Sequence, residues 1–143
     1  MKQINHNAAM LLLRKMQEND NISHSHSWRC IHLNFAKDKE RHNPALHQNF
    51  VINPVMNLLQ PEDGYVYTCE DGDVFILFQG QAKPIIHRLS THFEDIDYRQ
   101  FGEQQGSSFT TVFDLSRYWD IFFELCATKS PQKTQLQTAS AFA

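Results

Sequence analysis

A chain of 143 residues with 11 Phe and 2 Trp is long and apolar enough to close one domain around a core, which excludes disorder by composition. The formal charge of −3 is unevenly spread: residues 1–60 carry 7 basic and 4 acidic side chains, and residues 61–143 carry 6 and 12. The acidic half disfavours a phosphate backbone as partner, because such contacts need Lys and Arg to release counterions.

In chain order, residues 3–18 place Ile4, Ala8, Leu11, Leu12 and Met16 at helical spacing and predict a first helix. Residues 19–27 are a polar loop. Trp28 to Ala36 alternates as a strand, with Cys30 and His32 on one side and Ile31, Leu33 and Phe35 on the other. A charged loop from Lys37 leads to Asn43-Pro44, a helix start in which Asn caps and proline's fixed φ suits the first turn. That helix is expected to run to Gln60 with Leu46, Phe50, Val51, Val55, Leu58 and Leu59 as its apolar positions, kinked or split by Pro54. Pro61 to Gly64 ends it.

Next come two runs rich in β-branched and aromatic residues, Tyr65 to Cys69 and Val74 to Phe78, flanking a polar turn. Asp71-Gly72 is a hairpin signal, since Gly takes positive φ without a steric cost. The second run is apolar on both faces, as in a strand covered on both sides. Residues 81–96 predict a helix buried through Ile85, Ile86, Leu89 and Phe93, and residues 97–107 a polar loop. Phe109 to Phe113 reads as a strand. Asp114 or Ser116 then caps a last helix carrying Leu115, Tyr118, Trp119, Phe122, Leu125 and Cys126. The whole reads as a single α+β domain over residues 1–128, with a disordered tail over residues 129–143. A strand, helix, hairpin, helix and strand in that order suggest the ferredoxin-like split βαβ arrangement, with helices on both faces of the sheet.

The turn Asp71-Gly72-Asp73-Val74-Phe75, within this order of elements, resembles a degenerate GGDEF domain, the diguanylate cyclase fold. Gly72, Asp73 and Phe75 match the family's Gly-Gly-Asp/Glu-Glu-Phe turn, whereas its first Gly has become Asp71 and its Glu has become Val74. The family's first strand carries Asp-x-Asp-x-Phe-Lys; the comparable stretch is His32-Leu-Asn-Phe-Ala-Lys37, where Lys37 fits but His32 and Asn34 replace the acids. The resemblance covers roughly residues 3–127 and implies a nucleotide-cyclase-like sheet. Its chemistry joins two GTP molecules through Mg²⁺ held by carboxylates. Hard cations want oxygen ligands, so an imidazole, an amide and Val74 leave that metal site dismantled. The family's product-inhibition motif, Arg-x-x-Asp, is absent from Glu62 to Tyr65. The resemblance therefore implies the fold without the catalysis and without a cofactor.

The same order of elements occurs in the RNA-recognition motif, and Gly72, Phe75, Ile76 and Phe78 are spaced compatibly with its stacking strand. Asp71 and Asp73 stand where that motif has a basic lead residue and a stacking aromatic, and they would repel a phosphate backbone. Among the eight histidines, His24 and His26, His42 and His47, and His87 and His92 lack a set of partners at metal-ligand spacing, and the expectation is surface histidines. Cys30, Cys69 and Cys126 are odd in number and lack Cys-x-x-Cys spacing, as in reduced thiols of a cytoplasmic protein. No glycine-rich phosphate loop or Gly-x-Ser-x-Gly elbow is present. No apolar run approaches the roughly 20 residues that span a bilayer.

The expectation is a non-catalytic signalling or protein-interaction domain, acting through a protein partner or a homodimer. A nucleotide sensor for GTP or cyclic di-GMP without turnover is the alternative, and an RNA binder the third. Ligand contacts are expected at Lys37, Asp71, Gly72, Asp73 and Phe75.

Overall fold

A computed structural model describes residues 1–18, 28–36, 45–93, 98–102 and 109–129. Among these residues a six-stranded mixed sheet carries four helices. In chain order the elements are β1 (Lys2–Asn5), α1 (His6–Glu18), β2 (Trp28–Leu33), α2 (a π-helical turn, Gln48–Ile52, continued by an α-helical part, Asn53–Leu58), β3 (Tyr65–Thr68), β4 (Val74–Gln79), α3 (Lys83–Leu89), β5 (Tyr98–Gln100), β6 (Thr110–Asp114) and α4 (Leu115–Thr128). The strand order is β1-β3-β4-β2-β6-β5. The outer pairs β1–β3 and β5–β6 are parallel, and the three inner pairs are antiparallel.

Alternation along the strands sends side chains into two separate cores. Ile31, Leu33, Val66, Ile76, Phe78 and Val112 pack on one face under Val51, Ile52 and Val55 of α2 and Ile85, Ile86 and Leu89 of α3. Cys30, Tyr67, Phe75, Leu77 and Phe113 pack on the other under Ala9, Leu13 and Met16 of α1 and Leu115, Phe122 and Cys126 of α4. Helices on both faces, the β3–β4 hairpin and the two-sided burial of β4 thus match the sequence expectation. Val74 through Phe78 are each 0% exposed.

Four local expectations are corrected. Residues 2–5 are a strand, and the first helix starts only at His6, where the Asn5 Oδ1 accepts the Ala8 N–H at 2.7 Å as an N-cap. The expected burial of Leu46 and Phe50 fails, since they are 43% and 61% exposed. Ile52 is 1% exposed and takes their place in the core, because the π turn widens the helix just before Pro54 and rotates its apolar stripe. The Asn53 N–H reaches back to the Gln48 carbonyl across that turn. Helix α3 ends at Leu89, not near residue 96, because Ser90 and Thr91 hydroxyls donate to the His87 and Arg88 carbonyls at 2.6 and 2.7 Å. Residues 98–100 form β5, an edge strand too short to show alternation. Residues 37–44, with the expected Asn43 cap, and residues 130–143 of the expected tail lie outside the described residues. Lys129 is described, at the end of α4.

No described helix is long and apolar enough to cross a membrane.

Strand β1 is seated through Gly64. Its carbonyl accepts the Lys2 N–H at 2.9 Å, and its φ of 141° is one that L side chains rarely adopt. A Cβ at Gly64 would stand 2.3 Å from the Leu77 carbonyl oxygen. Gly64→Ala is expected to lower stability by about 2 kcal/mol or more in urea unfolding. An unchanged midpoint would show that the loop relaxes without cost.

Candidate functional site

The β3–β4 turn is closed by its own backbone. The Cys69 N–H donates to the Asp73 carbonyl and the Gly72 N–H to the Cys69 carbonyl, both at 3.0 Å. Gly72 takes φ 91°, as the sequence anticipates. The Asp71 Oδ1 accepts the Asp73 N–H at 3.1 Å, a local turn bond typical of Asp. This geometry leaves the Asp71 side chain partly exposed and turns the Asp73 carboxylate inward.

Asp73 is 0% exposed and is the centre of the arrangement. Its Oδ2 lies 2.7 Å from His32 Nε2 and 2.7 Å from Lys129 Nζ. Its Oδ1 accepts the Ala36 N–H at 2.8 Å. Lys129 also reaches Asp71 Oδ2 at 2.5 Å. An ionised carboxylate only accepts, so the His32 Nε2 carries the proton in that bond. Four segments therefore converge: the hairpin turn, β2, the chain just after β2, and the C-terminal end of α4.

Burial by itself pushes the Asp73 carboxyl up. The hydrogen bonds from His32, Lys129 and the Ala36 amide outweigh that and hold it at about 2. Burial likewise works against the Lys129 charge, but Asp71 and Asp73 overcome it and raise the ammonium above its ordinary value.

An aromatic ladder supports the site from below. His32 stacks on Phe75 with centroids 4.4 Å apart and planes at 3°, and Phe75 stacks on Tyr67 at 5.2 Å and 14°. These three residues are direct cross-strand partners on β2, β4 and β3, so the register places them in one row. The Tyr67 hydroxyl meets the Cys126 Sγ of α4 at 3.3 Å. Beside it, His6 Nδ1 lies 3.5 Å from the Cys69 Sγ. Burial lowers the His6 pKa, partly offset by the Cys126 backbone and by Asp71. The Cys69 thiol is pushed up by burial and by Asp71, and the Cys126 thiol is pushed up to about 12 by burial. Such thiols are poor nucleophiles.

Of the five residues expected to contact a ligand, Lys37 lies outside the described residues. Asp71, Gly72 and Asp73 are brought together. Phe75 is 0% exposed and sealed between His32, Tyr67 and Phe122, so it serves packing and presents no face to a ligand. Among the four described residues Asp71 alone keeps an exposed side chain, at 37%. Sequence reasoning missed Lys129, which it placed in the tail, and did not pair His32 with Asp73. A Lys at the C-cap of a helix is a helix-end signal, and it was the available clue.

Among the described residues no group of three His, Cys, Asp or Glu side chains is placed to hold a metal ion. His24, His26 and His42 lie outside the described residues. His92 uses its Nε2 on the Phe50 carbonyl at 3.0 Å. Comparison with protein-family models, with curated proteins and with solved structures finds no match to the chain.

The Asp73 value fixes a pH dependence. Its carboxyl is depressed from 3.8 to about 2, so it contributes stability that is full above about pH 4 and lost as pH falls toward 2. That contribution is about 2 kcal/mol. Asp73→Asn is expected to lower stability at pH 7 by about 3 kcal/mol, since Lys129 and His32 lose their anion, and to flatten the acid limb between pH 4 and 2. Urea titrations at a series of pH values check this; parallel pH profiles for both proteins would contradict it.

Proposed function

We propose that the domain is a non-catalytic signalling or protein-interaction module, related in plan to a degenerate GGDEF domain. The observation that carries this reading is the saturation of the hairpin carboxylates from within. Asp73 spends both oxygens on His32, Lys129 and the Ala36 amide, and Asp71 engages Lys129. In the resemblance, His32 stands where a first-strand acid would hold Mg²⁺ and Asp73 is the turn acid. The two adjoin at 2.7 Å, with an ammonium beside them supplying the positive charge. An imidazole and an ammonium in these places favour a static ion pair over phosphoryl chemistry, which needs metal-held phosphates.

The fold lends support of its own kind. The four inner strands run β3-β4-β2-β6, all antiparallel, an arrangement that supports a ferredoxin-like or nucleotide-cyclase-like split βαβ reading. Fold alone carries no function. For an interaction role, Leu46 just before α2 and Phe50 in its first turn stand exposed four residues apart, and Leu11 and Ile121 are exposed on the two helices of the other face. The three unpaired thiols, Cys30, Cys69 and Cys126, fit a reducing compartment such as the cytoplasm. The buried Phe75 counts against base stacking and with it against an RNA-binding role.

Titration with GTP and with cyclic di-GMP, with and without Mg²⁺, tests the reading through heat and amide chemical shifts. The interaction module predicts no saturable shift at Gly72, Asp73 or Lys37 at millimolar nucleotide and no turnover. Saturable binding without turnover would replace it by a nucleotide sensor, and any turnover would overturn the non-catalytic reading.

A further inference from the structure

We infer that Lys129 is an electrostatic clamp that couples the tip of the β3–β4 hairpin to the end of α4, so that an event at Asp71 is transmitted to residues 126–129. A lysine at a helix C-terminus usually leaves its ammonium in water and interacts only weakly with the helix dipole. Here the Lys129 side chain is 15% exposed, and its Nζ bridges two carboxylates at 2.5 and 2.7 Å. Ordering this four-carbon stem and desolvating its charge are costs, offset only when both anions are in place.

The connectivity makes the contact two-way. Asp71 Oδ1 fixes the Asp73 N–H while its Oδ2 holds Lys129, so displacing Asp71 disturbs the turn and the clamp together. Asp73 cannot follow Lys129 outward, because the Ala36 amide and His32 hold it in place. Withdrawal of Lys129 therefore leaves a buried carboxylate short of one cation, which strongly favours the closed arrangement. On the helix side, the Lys129 N–H bonds the Cys126 carbonyl at 3.1 Å, and Cys126 is tied in turn to Tyr67 of β3. Asp71, Lys129 and Glu70 all act electrostatically on His6, whose pKa burial lowers. Thermodynamic coupling is reciprocal: what loosens the helix end loosens the hairpin, and the reverse. Asp71, the exposed member, is the entry point.

Amide hydrogen exchange on the full chain tests this with Lys129→Met, Asp71→Asn, their combination and Lys129→Arg. The clamp predicts that K129M speeds exchange at Ala36, Cys69, Gly72 and Asp73 by about tenfold, the scale of losing a charge-assisted hydrogen bond. It predicts that D71N speeds exchange at residues 126–129 although it lies on another element, and that the double variant adds little to either. K129R, which keeps the charge, should stay near the parent. Exchange at residues 126–129 within about twofold of the parent in D71N would overturn the coupling. So would hairpin exchange that K129M leaves unchanged, or a loss in K129R as large as in K129M. Should K129M fail to fold, D71N and K129R alone decide the matter by the same criteria.

Discussion

A carboxylate with no access to water must be surrounded by donors, and the hairpin end of this domain is organised by that requirement. Asp73 is the buried acid. Its three partners arrive from β2, from the backbone just after β2, and from the end of α4. None of these segments is near Asp73 in sequence, so the ion cluster fixes tertiary arrangement in a way that apolar packing alone, being non-directional, does not. The tight turn at Gly72 matters because it aims the carboxylate inward and leaves Asp71 at the rim.

The aromatic row beneath it turns that local constraint into a property of the whole face. His32 is held by Asp73 at one edge and by Phe75 across its ring, and Phe75 passes the contact to Tyr67. Tyr67 then reaches Cys126 on α4, the helix whose end carries Lys129. The loop of contacts closes on itself: hairpin, sheet, helix and back to hairpin. A closed circuit of this kind resists piecemeal opening, and it places the reactive-looking residues of the sequence in structural service. The thiols are raised by burial, the imidazole is committed to an acid, and the acids are committed to cations.

Much of the fold was legible in the sequence because its signals are local. Asp71-Gly72 between two β-branched runs marks the hairpin, and the alternation of Cys30 and His32 against Ile31, Leu33 and Phe35 assigns the two faces of β2. What was illegible depends on distant partners. Strand β1 is polar and exposed along most of its length, and it is a strand only because β3 offers an edge for it to pair with. Phe50 follows the helical pattern yet faces solvent, because a π turn shifts the register. The site was half legible in the same sense. Asp71 and Asp73 stood out as turn acids, but Lys129 lies 56 residues or more beyond them, and nothing in its neighbourhood marks it as their partner.

The clamp and the closed site require Asp73 to be ionised and internally neutralised, and the direct measurement is the pH titration of its side-chain carboxyl by ¹³C chemical shift in the folded protein. Asp73 is expected to titrate near 2, well below an ordinary aspartate, and Lys129→Met to move it upward. Titration in the ordinary range near 3.8, insensitive to Lys129, would contradict the clamp, the closed site and the functional reading built on it.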